Sequence, residues 1–471
     1  MSDTNGTAIG HDTAVSRVYH AMMHDPATQS GMISQVKPLP EAYYTSFLSD
    51  LAKERRPSPI RSLFPLEKVP GVISLLAGKP NASTFPFTSL SFGARSPTNP
   101  SEETTLSLSE DELAQGLQYG DTAGLAPLLD WLFGLQEVNH GRKRNEGWKI
   151  SVGSGSQDLI YKAVAAMVNP GDPVLVESPV YAGVIPMFHS LHCNQIEVET
   201  DARGIRSSSL RSILEQWPEG KPKPKVLYTV PYGCNPTGMT ATLERRKEVL
   251  QLAREHNFII LEDDPYFFLY YGKALRYPSY FALERENGEV GRVLRFDSLS
   301  KVLSAGIRIG FASGPEALLK AIDQHTSSLT QAIVFKLLDS WGYDGFRSHT
   351  ERVSQFYAEK RDIFERAMKK HLTGLAEWST PEAGMFFWFK LLLSEDNAED
   401  QGGDSEAVIK TKAFEKGVLA LPGTVFLPNG RKTAYVRASF SLTPEHDVDL
   451  ALQRIKDAVL DARTARAGGA N

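Results

Sequence analysis

Cysteine is nearly absent. Cys193 and Cys234 are the only two in 471 residues, which excludes a disulfide framework and a cysteine-rich zinc site and fits a reducing compartment. Nowhere do about 18 apolar residues run together, so no helical membrane span is expected. The stretch Met1–His20 lacks the basic and apolar regions of a secretion signal. Its aspartates, Asp3 and Asp12, argue against a mitochondrial presequence, which leaves the cytoplasm as the expected compartment. Charge of one sign is not concentrated either. A net charge of −5 with 23% charged residues gives no pull towards nucleic acid or an anionic membrane. Neither partner is expected, nor a metal ion, and there is no internal repeat.

What is present is length and a recurring pattern. The chain exceeds what one core usually supports, so a large and a small unit are expected. Residues 1 to about 40 are polar and aperiodic and read as an arm, and residues 94–110, rich in Ser, Thr, Pro and Glu, read as a surface loop. Short apolar runs then alternate with helical periodicity. Strands are predicted at Lys149–Val152, Val174–Val176, Val226–Val230, Phe258–Leu261 and Val293–Phe296. Helices are predicted around Leu125–Leu132, Leu159–Met167 and Leu243–Glu255. That alternation means a parallel sheet with helices on both faces. Ligands bind such a sheet beyond the C-terminal ends of its strands. The residues in those positions are Ser156 and Gln157, Tyr181, Asn235, Asp263 and Tyr266, and Ser298 to Lys301. From about Leu372 a second unit begins, with strands at Met385–Phe389 and Ala434–Phe440.

Several of these residues suggest chemistry. Lys301 sits in a turn with Ser298 and Ser300, and Arg308 follows seven residues on. An amine near another cation or out of water is held uncharged more readily and can attack an aldehyde. Gly153-Ser154-Gly155-Ser156-Gln157 lies between a strand and a helix N-terminus, where free N–H groups favour an anion. The same stretch can be read as part of a dinucleotide fingerprint with Glu177 as the ribose acid, but Asp158 stands where a third glycine belongs. Asp263 can keep a pyridine nitrogen protonated, with Tyr266 and Asn235 reaching a ring oxygen; each also suits an ordinary turn. Tyr181 can stack on a ring or simply pack. Arg437, in an apolar strand, suits a substrate carboxylate or a structural ion pair.

Taken in order, PSPIR, LQYGDTAG, SGSQ, NPTG, EDDPY, DSLSK with GIRIG, AGMFFW, LPG and YVRASFS make the chain resemble the fold-type I, pyridoxal-phosphate-dependent class I/II aminotransferases. It is most similar to the branch of kynurenine/2-aminoadipate and fungal aromatic amino acid aminotransferases. The resemblance runs from about Arg56 to the last helix. It implies a large α/β domain with a mostly parallel seven-stranded sheet covered on both faces, and a smaller α+β domain formed by the C-terminal part with N-terminal segments. It divides the chain into a leader (1–55), an N-terminal segment near the substrate (56–95), a cofactor-binding domain (96–345) and a linking helix with the small domain (346–471).

The resemblance also implies pyridoxal 5'-phosphate as cofactor, with Lys301 as the Schiff-base lysine and proton-transfer base. Asp263 pairs with the ring nitrogen, Tyr266 and Asn235 bond the ring oxygen, and Tyr181 stacks. Ser156, Gln157, Ser298, Ser300 and Arg308 hold the phosphate, joined by Tyr119 from the other subunit of a homodimer. Arg437 binds the substrate α-carboxylate with Asn235 assisting, and Gly78 and Arg61 lie near the substrate side chain. The implied reaction is ping-pong transfer from an aromatic, kynurenine-like or 2-aminoadipate-like L-amino acid to a 2-oxo acid such as 2-oxoglutarate. Lys79, beside Gly78, departs from the apolar residue usual there. Another reaction on the same cofactor, a lyase or decarboxylase, is an alternative that fold and cofactor residues do not separate. A sensor built on the fold and a nicotinamide oxidoreductase are further alternatives.

Overall fold

In the computed structural model, the residues described are 36–56, 63, 66, 69–73, 75–76, 78–323, 325–393 and 403–468. The apolar runs become strands Trp148–Gly153 (β1), Pro173–Ser178 (β2), Asn194–Asp201 (β3), Gly204–Ile205 (β4), Val226–Thr229 (β5), Ile259–Asp263 (β6), Val293–Ser298 (β7) and Gly310–Pro315 (β8). They form one sheet in the order β1-β8-β7-β6-β5-β2-β3-β4. Seven are the strands of the expected sheet; β4 is a two-residue addition at its edge, antiparallel to β3. β5, β6, β7 and β8 are buried at every position, as expected of strands covered on both faces.

Helices Ala126–His140 (α1), Ser156–Met167 (α2) and Leu243–His256 (α3) pack residues such as Leu132, Leu159 and Val249 into the same core. Their ends follow local chemistry. α1 stops at Gly141 in the left-handed region, where glycine carries no Cβ penalty. α3 starts at Thr242, whose side chain accepts from the Arg245 N–H.

The topology decides where chemistry can gather. β2, β5, β6 and β7 run parallel, so their C-terminal ends share one edge. β8 is reversed against both β7 and β1. Its start therefore lies at that edge too, and Arg308 lies two residues before it.

A second core runs from Phe364 to Ala462. It is built on Ala376–Trp378 (β9), Phe386–Leu391 (β10), Leu421–Pro422 (β11) and Tyr435–Ser439 (β12), an antiparallel sheet in the order β9-β10-β12-β11. The helices Ser328–Leu372 (α4) and Glu445–Gly468 (α5) pack together beside it. α4 joins the two cores: Val334, Leu338 and Phe346 belong to the first, Phe364, Met368 and Leu372 to the second. It is broken at Gly342, whose backbone is not helical.

Two segments differ from expectation. The stretch read as a surface loop forms an antiparallel ribbon, Ser91–Arg95 with Glu103–Ser107. Its polar residues include Thr104 and Thr105, and β-branched threonine suits a half-exposed strand as well as a loop. In the stretch read as a polar arm, Lys37–Pro38 pairs with Glu289–Val290, while Tyr44 and Phe47 are buried in the first core. Tyr44 also donates to the Gly291 carbonyl at 3.0 Å. Aromatics spaced three apart on a short helical turn anchored it, a signal too brief for periodicity to register. Among the described residues, no N-terminal side chain joins the second core; Val72, Ile73 and Leu75 are exposed.

Beneath the shared edge lies a buried charge cluster. Arg295 on β7 is fully enclosed. It donates to both oxygens of Asp297, at 3.0 and 2.7 Å, and to Asp264 at 2.8 Å, with Glu262 at 3.4 Å. Gln136 of α1 also donates to Asp297 and to Ser313 Oγ, at 2.8 Å each. Removing the cation would leave buried carboxylates unanswered. Arg295→Met is expected to cost about 3–5 kcal/mol, seen as an earlier transition in a urea titration followed by tryptophan fluorescence. Lys149→Met, at an exposed position of β1, is expected to stay within about 0.5 kcal/mol. Equal transitions for the two variants would contradict the assignment of Arg295 as the charge that holds this cluster.

Candidate active site

The loops at that edge enclose a cavity of about 240 Å³. Ser156, Gln157, Tyr181, Asn235, Asp263, Tyr266, Ser298, Ser300, Lys301 and Arg308 line it, with Val230, Pro265, Ala305 and Phe386. Those from Ser156 to Arg308, scattered over about 150 positions of chain, meet here because the strands of the first sheet deliver them to one edge.

One end of the cavity is built for an anion. α2 begins at Ser156, so unpaired N–H groups and the positive end of the helix dipole lie there. Two glycines permit the close approach. A Cβ at Gly310 would lie 2.6 Å from the Ser156 nitrogen, and one at Gly155, where φ is +96°, would lie 2.2 Å from Arg308 Nη2. Arg308 is held in place, donating from Nη1 to Ser300 Oγ at 3.2 Å and from Nη2 to the Ser154 carbonyl at 3.1 Å. Ser298 Oγ accepts from the Ser300 N–H at 3.2 Å. Asp158, the awkward acid of this loop, is answered: Lys162 pairs with it at 2.6 Å and the Ser154 N–H donates to it at 3.3 Å.

At the other side sits Asp263, at the end of β6 and 4% exposed. Its Oδ2 accepts from the Tyr228 hydroxyl at 2.7 Å. Its Oδ1 is buried and has no hydrogen-bond partner. Burial pushes its carboxyl up to about 7; the Tyr228 hydrogen bond pulls the other way, Asp297 adds to the rise, and Arg295 and Lys301 oppose it. Lys301 shares the cavity, and its amine is lowered first by burial, then by Arg308, against the attraction of Asp263. An amine so placed gives up its proton more readily than a solvated lysine. Tyr266 is buried with its ring edge-on to Phe386, centroids 6.1 Å apart. Tyr181 is half-buried, and burial raises its hydroxyl.

Arg437 projects from β12 towards the same place. Its Nη1 donates to Asn235 Oδ1 at 3.0 Å, and its guanidinium lies 4.3 Å from the Phe386 ring centre and 5.2 Å from that of Phe426. Its Nε is buried without a partner. Among the described residues it makes no ion pair, so the structural reading of this arginine loses its main support. A half-buried guanidinium with a free donor suits a carboxylate arriving from outside.

Two nominated residues do not line this cavity, and a third falls outside the described residues. Tyr119 is 68% exposed and away from the cavity wall. Gly78 is exposed, with nothing within 4 Å of where its Cβ would be. Arg61 lies outside the described residues. Glu177, the acid of the dinucleotide reading, is 1% exposed. It accepts from Thr229 Oγ1 at 2.6 Å, the Val230 N–H at 3.2 Å and Cys234 Sγ at 3.4 Å, so a ribose cannot reach it.

Two contributors were missed. Tyr228 is hidden inside an apolar strand, where a tyrosine reads as core; its only sequence signal is a hydroxyl that burial would otherwise penalise. Phe386 stands within AGMFFW, where two adjacent phenylalanines give no hint which one faces the cavity. The donor set fits pyridoxal 5'-phosphate. The helix N-terminus, hydroxyls and Arg308 suit its phosphate, the orphaned Asp263 Oδ1 suits a protonated ring nitrogen, and Lys301 suits its aldehyde.

The description "aminotransferase class I and II" matches residues 98–455. An aminotransferase of Emericella nidulans, tdiD, is 43% identical over 87% of this chain and 94% of its own length. The mitochondrial kynurenine/alpha-aminoadipate aminotransferase of Mus musculus is 38% identical over 89% of this chain and 99% of its own. Among solved structures, the aromatic aminotransferase Aro9 of C. albicans superposes with a TM-score of 0.75 at 25% identity, covering 89% of this chain and 98% of that one. With the cavity's chemistry and these likenesses in agreement, the chain belongs to the class I and II aminotransferases and works through pyridoxal 5'-phosphate.

Proposed function

We propose that this aminotransferase takes the amino group of an aromatic L-amino acid, or of a kynurenine-like or 2-aminoadipate-like one, and passes it to 2-oxoglutarate in two half-reactions at one site. The observation that carries the reading is Arg437, docked on Asn235 and flanked by Phe386 and Phe426, with a buried donor left free. Every amino acid and 2-oxo acid brings an α-carboxylate to such a donor, and the aromatic rings beside it favour a substrate with an apolar or planar side chain. The names of the mouse and C. albicans relatives, which specify kynurenine, alpha-aminoadipate and aromatic substrates, support the same donor class.

Each residue has a task. Bound pyridoxal phosphate supplies an aldehyde that accepts the amino group and a ring that withdraws electrons from the substrate Cα. Ser156, Gln157, Ser298, Ser300 and Arg308 would hold the phosphate. Tyr181 would stack on the ring. Asp263 would keep the ring nitrogen protonated, and Tyr266 and Asn235 would hydrogen-bond the ring oxygen. Lys301 Nζ would tether the cofactor at its aldehyde and, when free, is the amine placed to take a proton from the substrate Cα and return it. Burial and Arg308 lower its pKa, which favours the unprotonated form such a base needs. Arg437 holds the α-carboxylate in both directions, with Gly78 and Arg61 near the substrate side chain.

The working unit in this reading is a homodimer, in which the exposed Tyr119 of one copy reaches the phosphate of the other. Exposed Ile73 and Leu75, at 90% and 98%, support it, because adjacent bare apolar side chains favour being covered. The cytoplasm is the proposed compartment, on the scarcity of cysteine; no helix among the described residues is long and apolar enough to cross a membrane.

The test of the reaction is the holoenzyme mixed with one amino acid and no 2-oxo acid. One equivalent of pyridoxamine phosphate, formed fastest with an aromatic or kynurenine-like donor, is the expected result; sustained turnover without an acceptor would replace transamination with a lyase or decarboxylase. Lys301→Ala is expected to abolish borohydride fixation of cofactor to the chain, checked by peptide mass mapping, and label at another lysine would contradict the assignment. Arg437→Ala is expected to lower kcat/KM in both half-reactions by about 10²- to 10³-fold, since a hydrogen-bonded charge pair is lost. A loss confined to one substrate would count against its role.

A further inference from the structure

The unexplained feature of the site is the hydroxyl beneath it. Tyr228 is fully enclosed on β5, a strand buried at each of its four positions. Its ring is packed edge-on against Phe188, centroids 6.1 Å apart. A phenylalanine would fill that space equally well. The hydroxyl is costly to bury and is satisfied by a single acceptor, Asp263 Oδ2 at 2.7 Å. The pairing is not between strand neighbours: in the register of β5 and β6, Tyr228 lies opposite Leu261, so the phenol reaches along the sheet to the end of β6. Its contact divides the carboxylate. One oxygen is taken, and Oδ1 is the one left unpartnered.

The charges around Asp263 make that contact consequential. Arg295 and Asp297 face it from β7 and Lys301 from the turn after β7; Glu177 lies on β2, and Tyr181 and Tyr266 on neighbouring loops. The nearby cations act on Asp263 through space only, because Arg295 spends its hydrogen bonds on Asp297 and Asp264. Tyr228 is therefore the group that hydrogen-bonds the anionic form directly. Resting on the reading of Asp263 as partner of the ring nitrogen, we propose that Tyr228 is a positioning residue that keeps Asp263 ionised and turns Oδ1 towards the cofactor. Donation to Oδ2 makes Oδ1 a weaker proton acceptor, so the shared proton stays on the ring nitrogen and the ring remains electron-poor.

The test compares binding of pyridoxamine 5'-phosphate with that of its 1-deaza analogue, in which CH replaces the ring nitrogen, to the apo full-length chain. The wild-type chain is expected to prefer the nitrogen-containing ring. Tyr228→Phe is expected to cut that preference by about 10- to 100-fold, the worth of a hydrogen bond to a charged group, and to move the 15N signal of the bound ring towards that of neutral pyridine. Asp263→Asn is expected to remove the preference, and adding Tyr228→Phe to it should change nothing further. If Tyr228→Phe weakens both ligands equally, or neither, while Asp263→Asn loses the preference, the hydroxyl is structural and the proposal is overturned with the reading of Asp263 intact. If Asp263→Asn keeps the preference, the reading of Asp263 falls and the proposal with it. Should Tyr228→Phe fail to fold, 3-fluorotyrosine at position 228, a stronger donor of the same shape, is expected to raise the preference; an unmoved or lowered preference overturns the proposal.

Discussion

A carboxylate taken out of water is stable as an anion only where hydrogen bonds or opposite charge replace its solvent, and Asp263 is placed so that this replacement is incomplete. Tyr228 donates to one oxygen, Arg295 and Lys301 attract from a distance, and Asp297 repels. The outcome is a carboxyl raised to about 7 with one oxygen facing no protein donor. The site is thus electrostatically unfinished without an N–H cation at Oδ1. The rest of the cavity follows from that need. An anion site at the N-terminus of α2, an amine lowered at Lys301 and a free guanidinium at Arg437 are the groups a phosphorylated pyridine aldehyde and an amino acid would complete.

The fold supplies this arrangement through strand direction. Parallel β2, β5, β6 and β7 send their chemistry to one edge, and the reversal at β8 brings Arg308, just before that strand, to the same edge. The cluster of Arg295 with Asp297, Asp264 and Glu262 lies directly beneath. Because Arg295 directs its N–H groups at these three carboxylates, none of those N–H groups is hydrogen-bonded to a fourth, Asp263, which stays available to a ligand. The second core contributes Phe386 and Arg437 from adjacent strands β10 and β12, so the end of the cavity proposed for the substrate is made by a different unit from the end proposed for the cofactor.

How much of this could be read in the sequence depends on the reach of each interaction. The strand-end residues Ser156, Tyr181, Asn235, Asp263 and Lys301 were legible because one rule, the C-terminal edge of a parallel sheet, selects them without side-chain detail. Tyr228 was not, since its partner is 35 positions away and its surroundings are indistinguishable from core. Nor was the role of Glu177: a strand-end acid can face a ligand or turn inward, and only the positions of Thr229, Val230 and Cys234 show that it turned inward. The ribbon at 91–107 was obscured by its serines and threonines, and the docking of Tyr44 and Phe47 by the shortness of their helical turn.

The central claim is that one buried carboxylate and one depressed lysine organise the cofactor site. A crystal structure of the chain grown with pyridoxal 5'-phosphate tests it most directly. The account predicts density continuous from Lys301 Nζ to the cofactor, Asp263 Oδ1 hydrogen-bonded to the ring nitrogen with Oδ2 still on Tyr228, and the phosphate against α2 and Arg308. A cofactor joined to another lysine, or a ring nitrogen facing any group other than Asp263, would contradict it.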